Sequence, residues 1–391
     1  MCDLSLLSIV RLLMGDIIFL LLQLYKITMK RIIFFLLIII SAVGCNTEFS
    51  VNGEYEETPI VHMLLDPNDE FHFLKVNKTF LGEGNANTFA SVPDSSYFDL
   101  VEATVEEVVS GNVIRSWQLY DTVIDNKNPG VFYYPEQKLY CFKADLNDDG
   151  LNNQDKQNKI YRINIEIDNG KHVVTGQTSL VRDVSISFPS QNQQLGFAES
   201  DVPANGYRTQ TISFTKGTGA IFNCKIRFDY RETTSSGTET KSVLWNIGSL
   251  NEEDILVTSP SFSASGETFY ELIKNRVPVN DDVTRRTPYA FELLITAGSE
   301  DLRTYMLVNE PTSSLAQNKP TFTNVNGGLG IFSARTTVAQ YKYAQSPSNP
   351  NVRALNVSST RELCEGQYTF NLDFCSDHTN DIAQGYSFAC N

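Results

Sequence analysis

Ile160-Tyr161-Arg162-Ile163-Asn164-Ile165-Glu166-Ile167 runs into Asp168-Asn169-Gly170-Lys171 and then His172-Val173-Val174-Thr175. Ile163, Ile165 and Ile167 alternate with polar partners, the two-residue period of a strand buried on one face. The Asp-Asn-Gly-Lys run that follows supplies residues that tolerate positive φ, so the segment reads as a β-hairpin. Upstream, Val101, Ala103 and Val105 alternate with Glu102, Thr104 and Glu106 in the same way. A turn at Ser110-Gly111-Asn112 leads into a strand expected over Val113 to Val123. Further upstream, Pro59 to Leu65 and Phe71 to Phe80 flank the turn Asp66-Pro67-Asn68-Asp69. Short strands separated by regular turns imply a β-sandwich.

Downstream the pattern continues. Val184, Ile186 and Phe188 alternate; Thr209 to Phe214, Ile221 to Tyr230, Val243 to Trp245 and Phe291 to Ile295 read as strands, and Gln191 to Asn205 as a polar loop. Two helices are expected. One follows Ser265-Gly266-Glu267, with Phe269, Leu272, Ile273 and Arg276 at helical spacing. The other begins at Ser299 as N-cap, with Glu300 and Asp301 in the first turn, where the helix dipole favours anions. Leu302, Tyr305 and Met306 would be its core stripe. The fold class is therefore mainly β: two β-sandwich (Ig-like) domains, the second with short helical insertions. The first is expected over 59–183 and the second over 184–391.

The N-terminal region is of another kind. Nine apolar residues, Ile32 to Ile40, follow Met29-Lys30-Arg31 and lead into Ser41-Ala42-Val43-Gly44-Cys45. A positive end, a short apolar run and small residues at a cut site make a secretory signal. The run is shorter than the ~20 residues a membrane span needs. The arrangement resembles the lipobox of bacterial lipoproteins, which implies cleavage before Cys45 and acylation of its thiol. Residues 29–44 are then the signal peptide and 45–58 a tether. The competing reading is a buried helix with a chance cysteine. Leu4 to Tyr25 is apolar but interrupted by Arg11 and Asp16, so 1–28 reads as a mis-called upstream extension, with a membrane hairpin as the alternative.

Of 391 residues, 347 follow Gly44, a length that suits two domains. The formal charge is −15, and −17 from Cys45 onward once Arg11, Lys26, Lys30 and Arg31 are set against Asp3 and Asp16. Such a surface repels phosphate backbones, so no nucleic-acid partner is expected. The 24 Phe and 17 Tyr favour strands. Beyond Cys45 lie Cys141, Cys224, Cys364, Cys375 and Cys390. An exported chain can form disulfides. One bridge among Cys364, Cys375 and Cys390 is expected, its pairing open, against a reading in which all five thiols are reduced and packed. No zinc spacing involves His62, His72, His172 or His378.

Asp145, Asn147, Asp149 and Gly150 match the first, third, fifth and sixth positions of a calcium loop. The closing acid is displaced: Asp155 stands at the eleventh position and Lys156 at the twelfth, and strand follows where a helix should. Calcium is the candidate cofactor, and a solvated chain reversal is the competing reading. No Gly-x-Ser-x-Gly elbow, phosphate loop or His-Glu-x-x-His appears, so the chain is not expected to be an enzyme. Gly327-Gly328-Leu329-Gly330-Ile331-Phe332 lacks dinucleotide spacing and reads as a glycine-rich turn feeding a core strand.

Pro320-Thr321-Phe322-Thr323-Asn324-Val325-Asn326 with that glycine run resembles the C-terminal signature of a family of exported Bacteroidota lipoproteins known as a domain of unknown function. The likeness covers most of 45–335, while the cysteine-bearing tail from Thr336 departs from it. It implies an outer-membrane lipoprotein anchored through Cys45 and serving a TonB-dependent receptor in capture or transport. It brings no active site. The alternative is a structural or adhesive, fimbrial-type surface subunit assembled by strand addition. A hydrolase with dispersed acids is a third reading.

Overall fold

In the computed structural model, the described residues are 57–80, 85–147, 158–200, 206–255, 259–310, 321–344 and 352–390, with Tyr25, Lys26, Thr28 and Met29. The chain divides into Met1–Tyr55 and Glu56–Asn391, and the second unit carries the β structure. Cys45, Asp149 and Asp155 lie outside the described residues.

β7 (Lys159–Ile167) and β8 (His172–Thr178) pair antiparallel, from Tyr161↔Thr178 to Ile167↔His172. The turn between them places Asp168, Asn169 and Gly170 at φ 51, 57 and 84, as its residue types favour. β7 is flanked by β3 (Val101–Val109), beyond which lies β4 (Asn112–Gln118); β8 is flanked by the short β15 (Val325–Asn326). These five strands form one sheet whose inner face buries Ala103, Val105, Tyr161, Ile163, Ile165, Ile167 and Val174.

A second sheet has eight strands. In spatial order they are β12 (Gly237–Asn251), β11 (Ile221–Thr234), β14 (Val283–Gly298), β16 (Leu329–Tyr343), β1 (Pro59–Leu65), β2 (Phe71–Lys78), β6 (Gln137–Lys143) and β5 (Tyr120–Ile124). Trp117 of β4 stacks on Phe142 of β6 at 5.2 Å, so the five-stranded sheet packs on the β1–β2–β6 part. A third sheet, β13 (Ser261–Ser265), β10 (Thr209–Thr215) and β9 (Ser185–Phe188), packs on the other part: Phe214 lies 4.9 Å from Phe222 of β11. An aromatic cluster fills that half, with Phe228 4.8 Å from Phe291 and Phe269 4.6 Å from Phe197.

The chain is mainly β, but the sheets do not separate at Asp183. β16 runs through both halves. Its Leu329–Ala334 part pairs in parallel with β1, and its Arg335–Tyr343 part pairs antiparallel with β14. Strands from 59–183 and from 184–391 thus share one hydrogen-bonded sheet. Parallel pairing of strands so distant in sequence leaves no trace in local periodicity.

The glycine run makes this crossing. β15 pairs with β8, and three residues later β16 pairs with β1. Gly327 sits at φ 80 and Gly330 at φ 111. A Cβ at 327 would stand 2.1 Å from the Val173 carbonyl oxygen, and one at 330 would stand 2.0 Å from that of Val61. Asn324 completes the turn: its side chain accepts from Phe332 N at 2.9 Å and donates to Phe332 O at 2.8 Å.

Other local expectations are amended. The strand expected over Val113 to Val123 is two strands in two sheets, because buried Leu119 turns the corner and donates its N–H to Ala103 O at 2.9 Å. The expected polar loop includes Leu195, Phe197 and Ala198, all buried, since the N–H groups of Phe197 and Ala198 bond Ser359 Oγ at 2.8 and 3.1 Å. Ser265 and Ser299 cap the helices Gly266–Arg276 and Glu300–Asn309. The second of these buries no residue, and Met306 is 45% exposed, so its stripe is not core. It lies on the outer face of the long sheet, where Tyr305 Oη meets His62 Nε2 at 2.8 Å. Helices also occur at Ala86–Ala90, Pro93–Ser96, Val357–Glu365 and Thr379–Gln384.

Gly330→Ala is expected to destabilise the fold by more than about 3 kcal/mol, since positive φ and a backbone clash act together. Urea unfolding measures it, and an unchanged midpoint would refute the crossing. Burial, the leading cause at each, holds His62, His72 and His378 below the usual histidine value; Lys75 adds to this at His62 and Arg353 at His378. Below about pH 6.5 the unfolded chain therefore takes up protons that the folded chain refuses. Stability should fall as pH drops from 7.5 to 5.5, and replacing all three with Gln should flatten that slope in urea titrations.

Candidate functional site

The outer face of the five-stranded sheet carries polar side chains on every strand. Strand register sets Gln118, Thr104, Asn164, Thr175 and Asn326 side by side, one from each strand. The adjacent row holds Ser116, Glu106, Arg162 and Gln177. These residues project outward because their neighbours in sequence point into the core. A groove of about 700 Å³ lies over part of this face, lined by Asn164, Thr175 and Asn326 of the first row and Glu106, Arg162 and Gln177 of the second, together with Asn324. Thr104 Oγ1 donates to Gln118 Oε1 at 3.0 Å. Asn164, Thr175 and Asn326 send no side-chain hydrogen bond to another described residue.

Gln177 also borders a second cavity of about 360 Å³, which reaches Arg182, Thr218 and the capped helix start at Ser299-Glu300-Asp301. Asn324 stands between the two, donating to Asp301 Oδ2 at 2.9 Å. In that helix start, a hydrogen bond from Arg303 holds the Glu300 carboxyl below its usual range. A third cavity, about 260 Å³, continues along Leu180–Val184 to Lys159, Asn147 and Pro67. The three depressions thus follow one another along the end of β8 and the segment after it, each sharing lining residues with the next.

Of the calcium-loop residues, Asp145 and Asn147 are described. Asp145 Oδ1 accepts from Asn147 N at 2.8 Å, and Asn147 Nδ2 donates to Pro67 O at 2.7 Å. Two cations hold the start of the loop by its carbonyls: Arg115 binds Asp145 O at 3.0 Å and Lys159 binds Leu146 O at 3.2 Å. Both belong to a charged cluster around fully buried Glu107, which also accepts from Tyr161 Oη at 2.9 Å. Among the described residues, no three His, Cys, Asp or Glu side chains come together as metal ligands.

Gly327, Gly328 and Gly330 serve the sheet crossing, not a ligand cradle. Val173 O lies over 327, Pro59 O over 328 and Val61 O over 330. Cys375 and Cys390 form the disulfide, with Cα atoms 5.0 Å apart, and Cys364 is the odd, buried thiol. Burial pushes the Cys224 thiol up to about 12 and raises that of Cys364 well above its usual value, which removes the thiolate a nucleophile requires.

The tail also gathers Ser376, His378 and Asp381, the residue types of a hydrolytic triad, but wires them differently. Ser376 Oγ donates to Asp381 Oδ2 at 2.6 Å, and Arg353 clamps the same carboxylate at 2.8 and 2.9 Å. His378 Nδ1 accepts from Asn380 N at 3.2 Å, so it takes no proton from the serine. All four side chains are buried. The group anchors the tail, as Arg286 does elsewhere by bonding Glu232 at 2.8 Å and Leu372 O at 2.7 Å.

No family model matches the chain, and no curated protein matches it either. The groove was not visible in sequence. Its residues are the positions that hydrophobic alternation marks only as outward, and which of them stand abreast depends on register between distant strands.

Proposed function

We propose that the protein is a lipid-anchored, cell-surface protein of the outer membrane that binds a ligand without transforming it, and that it works beside a TonB-dependent receptor. The groove on the five-stranded sheet carries this reading. Asn164, Thr175 and Asn326 in it keep side-chain hydrogen-bonding capacity that the described fold leaves unused. Such groups neither gain nor lose protons near neutrality, which suits recognition over acid–base chemistry. The anchor rests on the charged start, apolar run and small residues leading to Cys45. The likeness of 320–332 to the Bacteroidota lipoprotein signature supports the receptor association.

Within this proposal the two sheet pairs are Ig-like β-sandwich modules joined through β16: the first is built from 59–183 with β15 and the Leu329–Ala334 part of β16, the second from the rest of 184–391. The facing pairs Trp117–Phe142 and Phe214–Phe222 support the two layers in each. A fimbrial-type role is the second reading, supported by β4 and β5. These two strands end the five- and eight-stranded sheets and could accept a strand from a neighbour.

Cys45→Ala should move the protein from the membrane to the soluble fraction and abolish palmitate labelling. The intact protein should co-purify with a β-barrel receptor after detergent extraction, whereas surface polymers without a receptor would favour the fimbrial role. Calcium at Asp145, Asn147, Asp149 and Asp155 is a subsidiary proposal. With Arg115 and Lys159 at the start of the loop, binding should be no tighter than the ~10⁻⁴–10⁻³ M of weak extracellular sites. Calorimetric titration of the mature chain tests this, and no heat at millimolar calcium would end it.

A further inference from the structure

We propose that the groove over β7, β8 and β15, bordered by Glu106 of β3, binds a neutral, polyhydroxylated glycan chain. This inference deepens the reading of the protein as a binding protein and rests on it. The central row, Gln118, Thr104, Asn164, Thr175 and Asn326, holds one uncharged side chain per strand. At the usual ~4.8 Å spacing between strands, it forms an evenly spaced line of hydrogen-bonding groups. Each carboxamide offers both donors and an acceptor, and each hydroxyl offers both. Sugar hydroxyls are likewise donors and acceptors at once, so successive rings of a glycan can exchange bonds with successive strands. The groove over the Asn164, Thr175 and Asn326 end of the row has about 700 Å³ of space, within the size range of ligand sites.

Charge narrows the class. On the same face Glu102 stands opposite Glu166. Like charges directly opposed across a sheet are unfavourable. Glu106 lies on the other side of the neutral row, opposite Arg162. Glu106 and Arg162 balance each other in the groove wall, and Glu102 and Glu166 on the face beside it disfavour uronate chains, phosphates and other polyanions. An extended peptide is less well matched. Peptides add to sheet edges through main-chain bonds and place alternate side chains in pockets, whereas this surface is a sheet face crossed by a row of amides and hydroxyls.

The test is affinity gel electrophoresis of the mature chain in gels containing xylan, mannan or dextran, with polygalacturonate as the anionic comparator. At least one neutral polysaccharide should retard the wild type, and polygalacturonate should not. Replacing Asn164, Thr175 and Asn326 together with Ala should weaken retardation by at least about ten-fold, given three lost hydrogen bonds. The single variants Asn164→Ala and Asn326→Ala, checked by circular dichroism, should each show a smaller loss. Glu102→Gln with Glu166→Gln should admit polygalacturonate.

The proposal is overturned if no neutral polysaccharide retards the wild type, if the folded variants are retarded equally, or if polygalacturonate binds as well. Displacement of bound glycan by a gelatin hydrolysate would also overturn it, in favour of a peptide. Failure on every polysaccharide with a receptor still co-purifying refutes the ligand class alone. Glycan binding without a receptor refutes the transporter association alone.

Discussion

The Val61 carbonyl lies 2.0 Å from where a side chain at position 330 would begin. That closeness is the constraint on which the rest depends. It lets the chain leave the edge of the five-stranded sheet at Asn326 and enter the centre of the eight-stranded sheet at Leu329. One short segment thereby closes the core over Val61, Met63, Ile163, Val174 and Phe332. It also brings residues from both ends of the sequence into a single sheet. Asn324 secures the crossing by presenting its carboxamide to Phe332 as a neighbouring strand would present its backbone.

β16 continues from this crossing into the second half, so one strand ties the two halves of the chain together. The Leu329–Ala334 part and the Arg335–Tyr343 part belong to one strand with different partners. Buried charges hold the periphery in a similar way. Glu107 with Arg115 and Lys159, Glu232 with Arg286, and Asp381 with Arg353 each tie a loop or tail to a strand or helix. A buried ion pair adds little net stability, but losing one partner leaves the other uncompensated. These clusters therefore set where loops attach more than how tightly the core holds.

The same crossing shapes the candidate site. Asn326 extends the polar row to a fifth strand, and Asn324 links the groove to the capped helix at Ser299 through Asp301. A sequence motif whose glycines serve backbone packing thus delivers two amide side chains to the polar outer face. The glycines and the asparagines have separate physical roles within one stretch, and only the first role is suggested by residue type.

Local chemistry made several elements legible from the chain alone. The Ile163–Ile167 alternation and its Asp-Asn-Gly-Lys turn specify a hairpin because the period and the positive-φ residues agree. Ser265 and Ser299 specify helix starts because a hydroxyl there satisfies an otherwise unpaired N–H. The glycine run declared that something must approach its backbone closely. What approaches it, which strands stand beside β16, and that Val113 to Val123 serves two sheets were decided only in three dimensions. Those outcomes depend on contacts between residues tens to hundreds of positions apart, where sequence periodicity carries no information. The groove belongs to the same category: the residue types were readable, but their alignment into a row is a product of register.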